Sequence, residues 1–180
     1  MAVKTFTSAT LSSSDTNTYL ANAGLVYVTQ VTVGTGVSSV TVSSCFNSTY
    51  DAYEILYTNG ASSVTEVLYL QLAGITGTNY YSAGAQNTSG SGAYNGIGVN
   101  AGTRWQIGTC TTTSHGLRMT VHNPFVAKNT YHRCDFASDY TSGWSGGVCN
   151  TATSTTGFTL SPGSGTLTGG TITVYGYRKG

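Results

Sequence analysis

The chain has 180 residues, enough for one domain with a buried core, yet only 7% of them are charged, against roughly 25% in an ordinary soluble domain. Lys plus Arg number 7 and Asp plus Glu 6, so there is neither the basic face that phosphates require nor a polybasic membrane anchor. No run of 18 apolar residues marks a membrane-inserted span, and MAVKTFTSATLSSSDTN lacks the apolar centre of an export leader.

Thr, Ser, Gly and Tyr stand in place of charge. Roughly three residues in ten are Ser or Thr, which with 13 Tyr and 24 Gly suits pleated strands and tight turns. With 39% hydrophobic residues, many of them β-branched, the composition reads as folded and β-rich rather than disordered.

In chain order, TFTSATLSSSDTNTYLANAG comes first. Ser12 precedes Asp15 by three residues, a variant of the Ser-x-x-acid helix start, and Gly24 is a stop signal. The pattern predicts an extended arm and a short helix over about residues 13–22, so we divide the chain into an arm, 1–24, and a β-sandwich domain, 25–180. The arm either caps the domain or docks on another subunit. Its docking candidates are Phe6, Leu11, Asp15, Asn17, Tyr19 and Leu20.

From residue 25 the apolar period is two. LVYVTQVTV and VSSVTVSSC flank Gly34-Thr35-Gly36, a hairpin signal. YDAYEILYT puts Tyr53, Ile55 and Tyr57 on one face, and VTEVLYLQLAG puts Leu68, Leu70 and Leu72 on another. The polar middle, residues 76–102, reads as strands broken by a long loop. RWQIGTC, GLRMTVHNPF, TYHRCDFAS, GFTL and TITVYGYR supply the rest, with Asn123-Pro124 ending one strand and Ser161-Pro162-Gly163 turning between the last two. About eight to ten short strands with regular turns predict an all-β sandwich, a jelly roll being the common way to fold that number. TITVYGYR should be paired inside a sheet, with Arg178 and Lys179 solvated beyond it.

Reactive constellations are few. Gly143-Trp144-Ser145-Gly146-Gly147 fits G-x-S-x-G, but no helical period, acid or His follows it, and no His is paired with Ser145 by the sequence. Gly96-Ile97-Gly98-Val99-Asn100-Ala101 fits the loose dinucleotide pattern without the flanking strand and helix, and reads as a flexible turn. His132 and Cys134 alternate onto one strand face near Asp135 and His122, without a fourth metal ligand. Glu54 with Glu66 on neighbouring predicted strands, and Asp135 with Asp139, are the carboxylate pairs available. The reading implies no catalytic residue, no metal and no cofactor. The sequons at Asn47 and Asn87 read as chance matches. Cys45, Cys110, Cys134 and Cys149 lack CxxC spacing and read as free packed thiols, with a Cys134–Cys149 bridge the alternative if their strands adjoin.

Tyr80, Tyr81, Tyr94, Trp105, Tyr131, Tyr140 and Trp144 fall in or near predicted loops. Such aromatics give rigid contact area, for stacking on a sugar or, the favoured reading, for packing over the sheet faces and between subunits. Tyr80, Tyr81, Tyr94 and Trp105 are the candidates for contact with a glycan.

The opening MAVKTFTSATLSSSDTNTYLANAGLVYV, with its Leu11, Asp15, Asn17, Tyr19 and Leu20, resembles the start of small virion proteins of tailed bacteriophages. YDAYEILY, MTVHNPFVAKNT and the final GFTLSPGSGTLTGGTITVYGYRKG are similar to later strands of the same proteins. These serve as capsid decoration, head-fibre or minor tail proteins. The resemblance implies a non-enzymatic structural role in a virion assembled in the host cytoplasm, and a homo-oligomer with a trimer favoured. It implies the major capsid protein or tail proteins as partners. Capsid decoration through the arm leads. A minor tail or fibre protein that recognises the host, and a free carbohydrate-binding module, are the alternatives. Four cysteines depart from the usual pattern of that family.

Overall fold

The structure, a computed structural model, describes residues 24–89 and 91–178; the expected helix and the docking candidates Phe6 to Leu20 lie outside the described residues. The first half forms strands β1 (Leu25–Thr32), β2 (Val40–Val42), β3 (Tyr50–Ser62), β4 (Glu66–Leu72), β5 (Tyr80–Thr88) and β6 (Tyr94–Gly102). Then come β7 (Trp105–Cys110), β8 (His115–His122), β9 (Thr130–Ser138), β10 (Thr141–Cys149), β11 (Phe158–Pro162), β12 (Leu167–Thr168) and β13 (Thr171–Arg178).

They build two antiparallel sheets. The large one runs β1-β13-β3-β8-β9-β10-β5-β6, with β12 paired to β3, and the small one runs β2-β11-β4-β7. Taking β5–β6 and β9–β10 as inserted hairpins, the remaining strands fall in jelly-roll order, β1-β13-β3-β8 in one sheet facing β2-β11-β4-β7 in the other. Both hairpins lengthen the large sheet on the same side.

Period-two burial explains the core. Tyr53, Ile55 and Tyr57 of β3 are fully buried, as are Met119 and Val121 of β8 and Ile172 and Val174 of β13. Leu68, Leu70 and Leu72 of β4 meet them from the small sheet as part of one apolar cluster. As expected, β13 is interior, paired on one side to β1 and on the other to β3.

Two expectations are corrected. Gly34-Thr35-Gly36 makes no hairpin: β1 pairs with β13 and β2 with β11, so the chain crosses between sheets there. Gly36 sits at φ 67 and donates its N–H to Thr168 Oγ1 at 3.0 Å, which ties the crossover to β12 instead. The run from Gly96 to Ala101 is no turn but most of β6. The segment around Ser145 is strand β10, whose many glycines hide its alternation.

Strand β7 is buried along its whole length. Its free edge is closed by the β5–β6 hairpin: Gln106 Oε1 accepts from the Gly98 N–H at 3.0 Å, and Thr109 Oγ1 donates to Gln86 Oε1 at 2.7 Å. An edge that would otherwise be a pairing template is thereby covered.

Candidate functional site

Chemistry can be sought first in the interior, between β7 and the inserted hairpins. His132 on β9 and Ser145 on β10 point inward from adjacent strands, and Nε2 lies 3.3 Å from Oγ. This corrects the expectation that no histidine pairs with this serine. The pairing is a consequence of register, since Ser145 faces Cys134 and His132 faces Gly147. Ser145 is fully buried and His132 is 5% exposed, under the Trp105 ring at 4.5 Å between centroids. The other imidazole nitrogen, Nδ1, meets no partner, so no carboxylate orients the ring. Burial pushes the His132 pKa down to about 3 and keeps it neutral. The serine lies mid-strand rather than at an elbow. The pair is a buried hydrogen bond, closed to a substrate.

The carboxylates are dispersed. Glu54 and Glu66, expected on neighbouring strands, stand in different sheets, on β3 and β4. Glu54, on the outer face of the large sheet, accepts from Tyr177 Oη at 2.7 Å and from Arg118 Nη2 at 3.0 Å. Asp139 accepts from Thr111 Oγ1 at 2.7 Å, and that bond lowers its pKa. Among the described residues no group of three or more His, Cys, Asp or Glu could hold a metal ion. The four thiols are free and buried. Cys134 and Cys149 do lie on adjoining strands, but Cys134 faces Ser145 while Cys149 faces Thr130. Four positions along the strand separate them by roughly 14 Å, twice what a disulfide spans.

The aromatics divide by face. Tyr80 and Trp105, expected at a glycan surface, are core residues with no exposure. Their rings pack edge to face at 5.3 Å, and the Tyr80 hydroxyl donates to the Ile75 carbonyl while accepting from the Leu72 N–H, both at 3.0 Å. Neither can touch a sugar. Tyr81 and Tyr94 are on the opposite, outer face, Tyr94 at 79% exposure. Tyr131 and Trp144 share that face on β9 and β10 and belong to strands rather than loops. At the far edge, Tyr27 on β1 is exposed and packs edge to face on Tyr175 at 6.2 Å. Tyr27 and Tyr175 escaped the sequence reading, although their positions in the alternation, opposite the buried Val174 row, mark them as outward.

The accessible chemistry is therefore that of one broad sheet face: tyrosine and tryptophan rings, the Glu54–Tyr177–Arg118 network, and an Arg133 guanidinium 4.9 Å from the Trp144 ring. It offers stacking and hydrogen bonding, with every thiol and the imidazole–hydroxyl pair turned inward. The chain matches no protein-family model and no curated protein sequence.

Proposed function

We propose that the protein is a non-enzymatic structural component of a tailed-phage virion, a capsid decoration protein held by its N-terminal segment, residues 1–24. It acts as a homo-oligomer, a trimer favoured, against the major capsid protein. The observation that carries this reading is where the segment enters the domain. It runs into β1, the edge strand of the large sheet, where Leu25 and Tyr27 remain 43% and 58% exposed. Large apolar side chains exposed on the strand that follows this segment are what a docked surface uses. The resemblance of residues 1–28 to phage virion proteins supports the same reading.

Immunogold microscopy of purified virions tests it, together with deletion of residues 1–22. Label over the head, lost on deletion while the domain stays folded, is the expected result. Capsid binding by the truncated chain would overturn the attachment.

A second reading, a minor tail or fibre protein recognising the host, is favoured by Tyr94, Tyr131 and Trp144 at the other end of the same face. It predicts label at the tail and weaker adsorption when these residues become Ala.

A further inference from the structure

On the outer face of the inserted hairpins the strand register sets residues in rows that cross the strands. One row is Tyr131, Val148 and Tyr81, on β9, β10 and β5. The next is Arg133, Gly146, Ala83 and Gly98, and the third is Asp135, Trp144, Ala85 and Gly96. The middle row is almost without side chains between two rows that carry rings. The result is a trough of about 510 Å³ floored by Gly146 and Ala83 and walled by Tyr81, Tyr131 and Val148. Trp144, in the third row, lies next to this lining with the Arg133 guanidinium over its ring at 4.9 Å.

At Gly98, at the end of the middle row, an added Cβ would run into the Ser82 carbonyl, so glycine is required there, but the bareness at Gly146 is not forced by the fold. At Gly143 and Gly147 an added Cβ would run into the facing strand, so glycine is obligatory there. At Gly146 the nearest atom to an added Cβ is the His132 carbonyl oxygen at 3.5 Å, an ordinary contact, and at Gly96 there is nothing within 4 Å. Neither has a positive φ. Glycine inside a strand weakens it, and in such a place it marks close approach by something else.

We infer that this trough binds an uncharged oligosaccharide, the pyranose faces stacking on the Tyr81 and Tyr131 rings that wall it, with Trp144 in the row beside it. The inference rests on the outer face being the contact face of the proposed function, wherever on a particle the protein sits. Three strands at about 4.8 Å spacing give a floor roughly 10 Å long, the length of two sugar rings. The two flanking rows, four residues apart, are roughly 14 Å between backbones.

Charge and size exclude the other occupants. Among the described residues the only cation at the trough, Arg133, is already engaged with the Trp144 ring and lies 4.0 Å from Asp135, so a phosphate chain finds no counter-charge there. An extended peptide laid on the floor would meet backbone groups already paired in the ladders and leave its own unpaired. A second copy would need about 800 Å² per partner for a stable interface, so most of its contact would lie outside the trough. A sugar has apolar ring faces for the walls and carries its hydroxyls at the rim, where Arg133 and Asp135 are exposed.

The test is a fluorescence titration of the full chain with cellohexaose, maltohexaose, xylohexaose and chitohexaose, with heparin as the charged comparison. Trp105 is fully buried and Trp144 is 43% exposed, so a ligand-dependent change reports Trp144. At least one neutral hexasaccharide should give a saturable change at roughly millimolar concentration or below. Gly146→Val, and independently Ala83→Leu, should weaken it by about tenfold or more without lowering the urea midpoint. Trp144→Phe should abolish the signal. No saturable response to any of the four at about 10 mM, full binding by both obstructed variants, or binding of heparin alone would each overturn the inference. Head label on virions without a saccharide response removes the trough and leaves the decoration reading intact. A saccharide response without label on particles does the reverse.

Discussion

Acidification should destabilise the domain through His132. The imidazole sits against the Trp105 ring with one nitrogen near Ser145 Oγ and the other unpartnered, and nothing around it stabilises a positive charge. Burial lowers its pKa from 6.5 to about 3. The folded state therefore stays neutral where the unfolded chain takes up a proton. Stability is fully present above pH 6.5 and is lost as the pH falls toward 3. Each pH unit inside that window costs about 1.4 kcal/mol, so going from 6.5 to about 4.5 removes about 3 kcal/mol. That is a large part of the roughly 5–15 kcal/mol that holds a domain folded. His115, also lowered by burial, acts in the same direction. Urea unfolding followed by circular dichroism at about pH 7.5, 6.5, 5.5 and 4.5 gives the slope directly. His132→Gln should flatten most of it, whatever the variant costs in absolute stability. A wild-type stability that changes by less than about 1 kcal/mol over the window, or a variant with an unchanged slope, would refute the buried neutral imidazole.

Trp105→Ala should cost about 3–5 kcal/mol, because it empties the packing between the sheets, while Trp144→Ala should cost under about 1 kcal/mol; urea midpoints separate them. Tyr177→Phe removes one of the two hydrogen bonds to the buried Glu54 carboxylate and should cost about 1–2 kcal/mol in the same assay. Burial pushes the Cys45 thiol up to about 12 and raises the other three. Native protein should therefore leave a thiol reagent at about pH 8 unreacted and show four reactive groups once denatured. Stoichiometric labelling of the native chain would contradict the packing of these cysteines.

The sequence disclosed the fold wherever one face of a strand is buried and the other is wet. Tyr53, Ile55 and Tyr57, and Leu68, Leu70 and Leu72, are separated by residues of the opposite face, and the alternation is plain. It fails at β7, where the hairpin from β5 and β6 covers the second side and the polar Gln106 and Thr109 are buried along with Ile107. It fails again at β10, where Gly143, Gly146 and Gly147 leave little hydrophobic pattern to read. Gly34-Thr35-Gly36 shows the limit of turn chemistry: it gives the bend but not the sheet in which the next strand lands. The same holds for the aromatics. Whether a tyrosine is core or surface depends on strands distant in sequence, so Tyr80 and Tyr81, neighbours in the chain, part to opposite faces. The trough was illegible for that reason, because its rows exist only once four strands are in register.

The interior position of β13 has a consequence for biosynthesis. Leu25–Thr32 is made early, yet its partner strand, Thr171–Arg178, is about 140 residues further on, a delay of roughly 7–30 s at ordinary translation rates. Through that interval β3 also lacks one of its neighbours, so the apolar side chains of both strands wait without cover. The large sheet cannot close gradually from the N-terminus. It closes only when β13 enters between β1 and β3, beside one edge, and a ribosome stalled before residue 171 would carry a chain with that seam open.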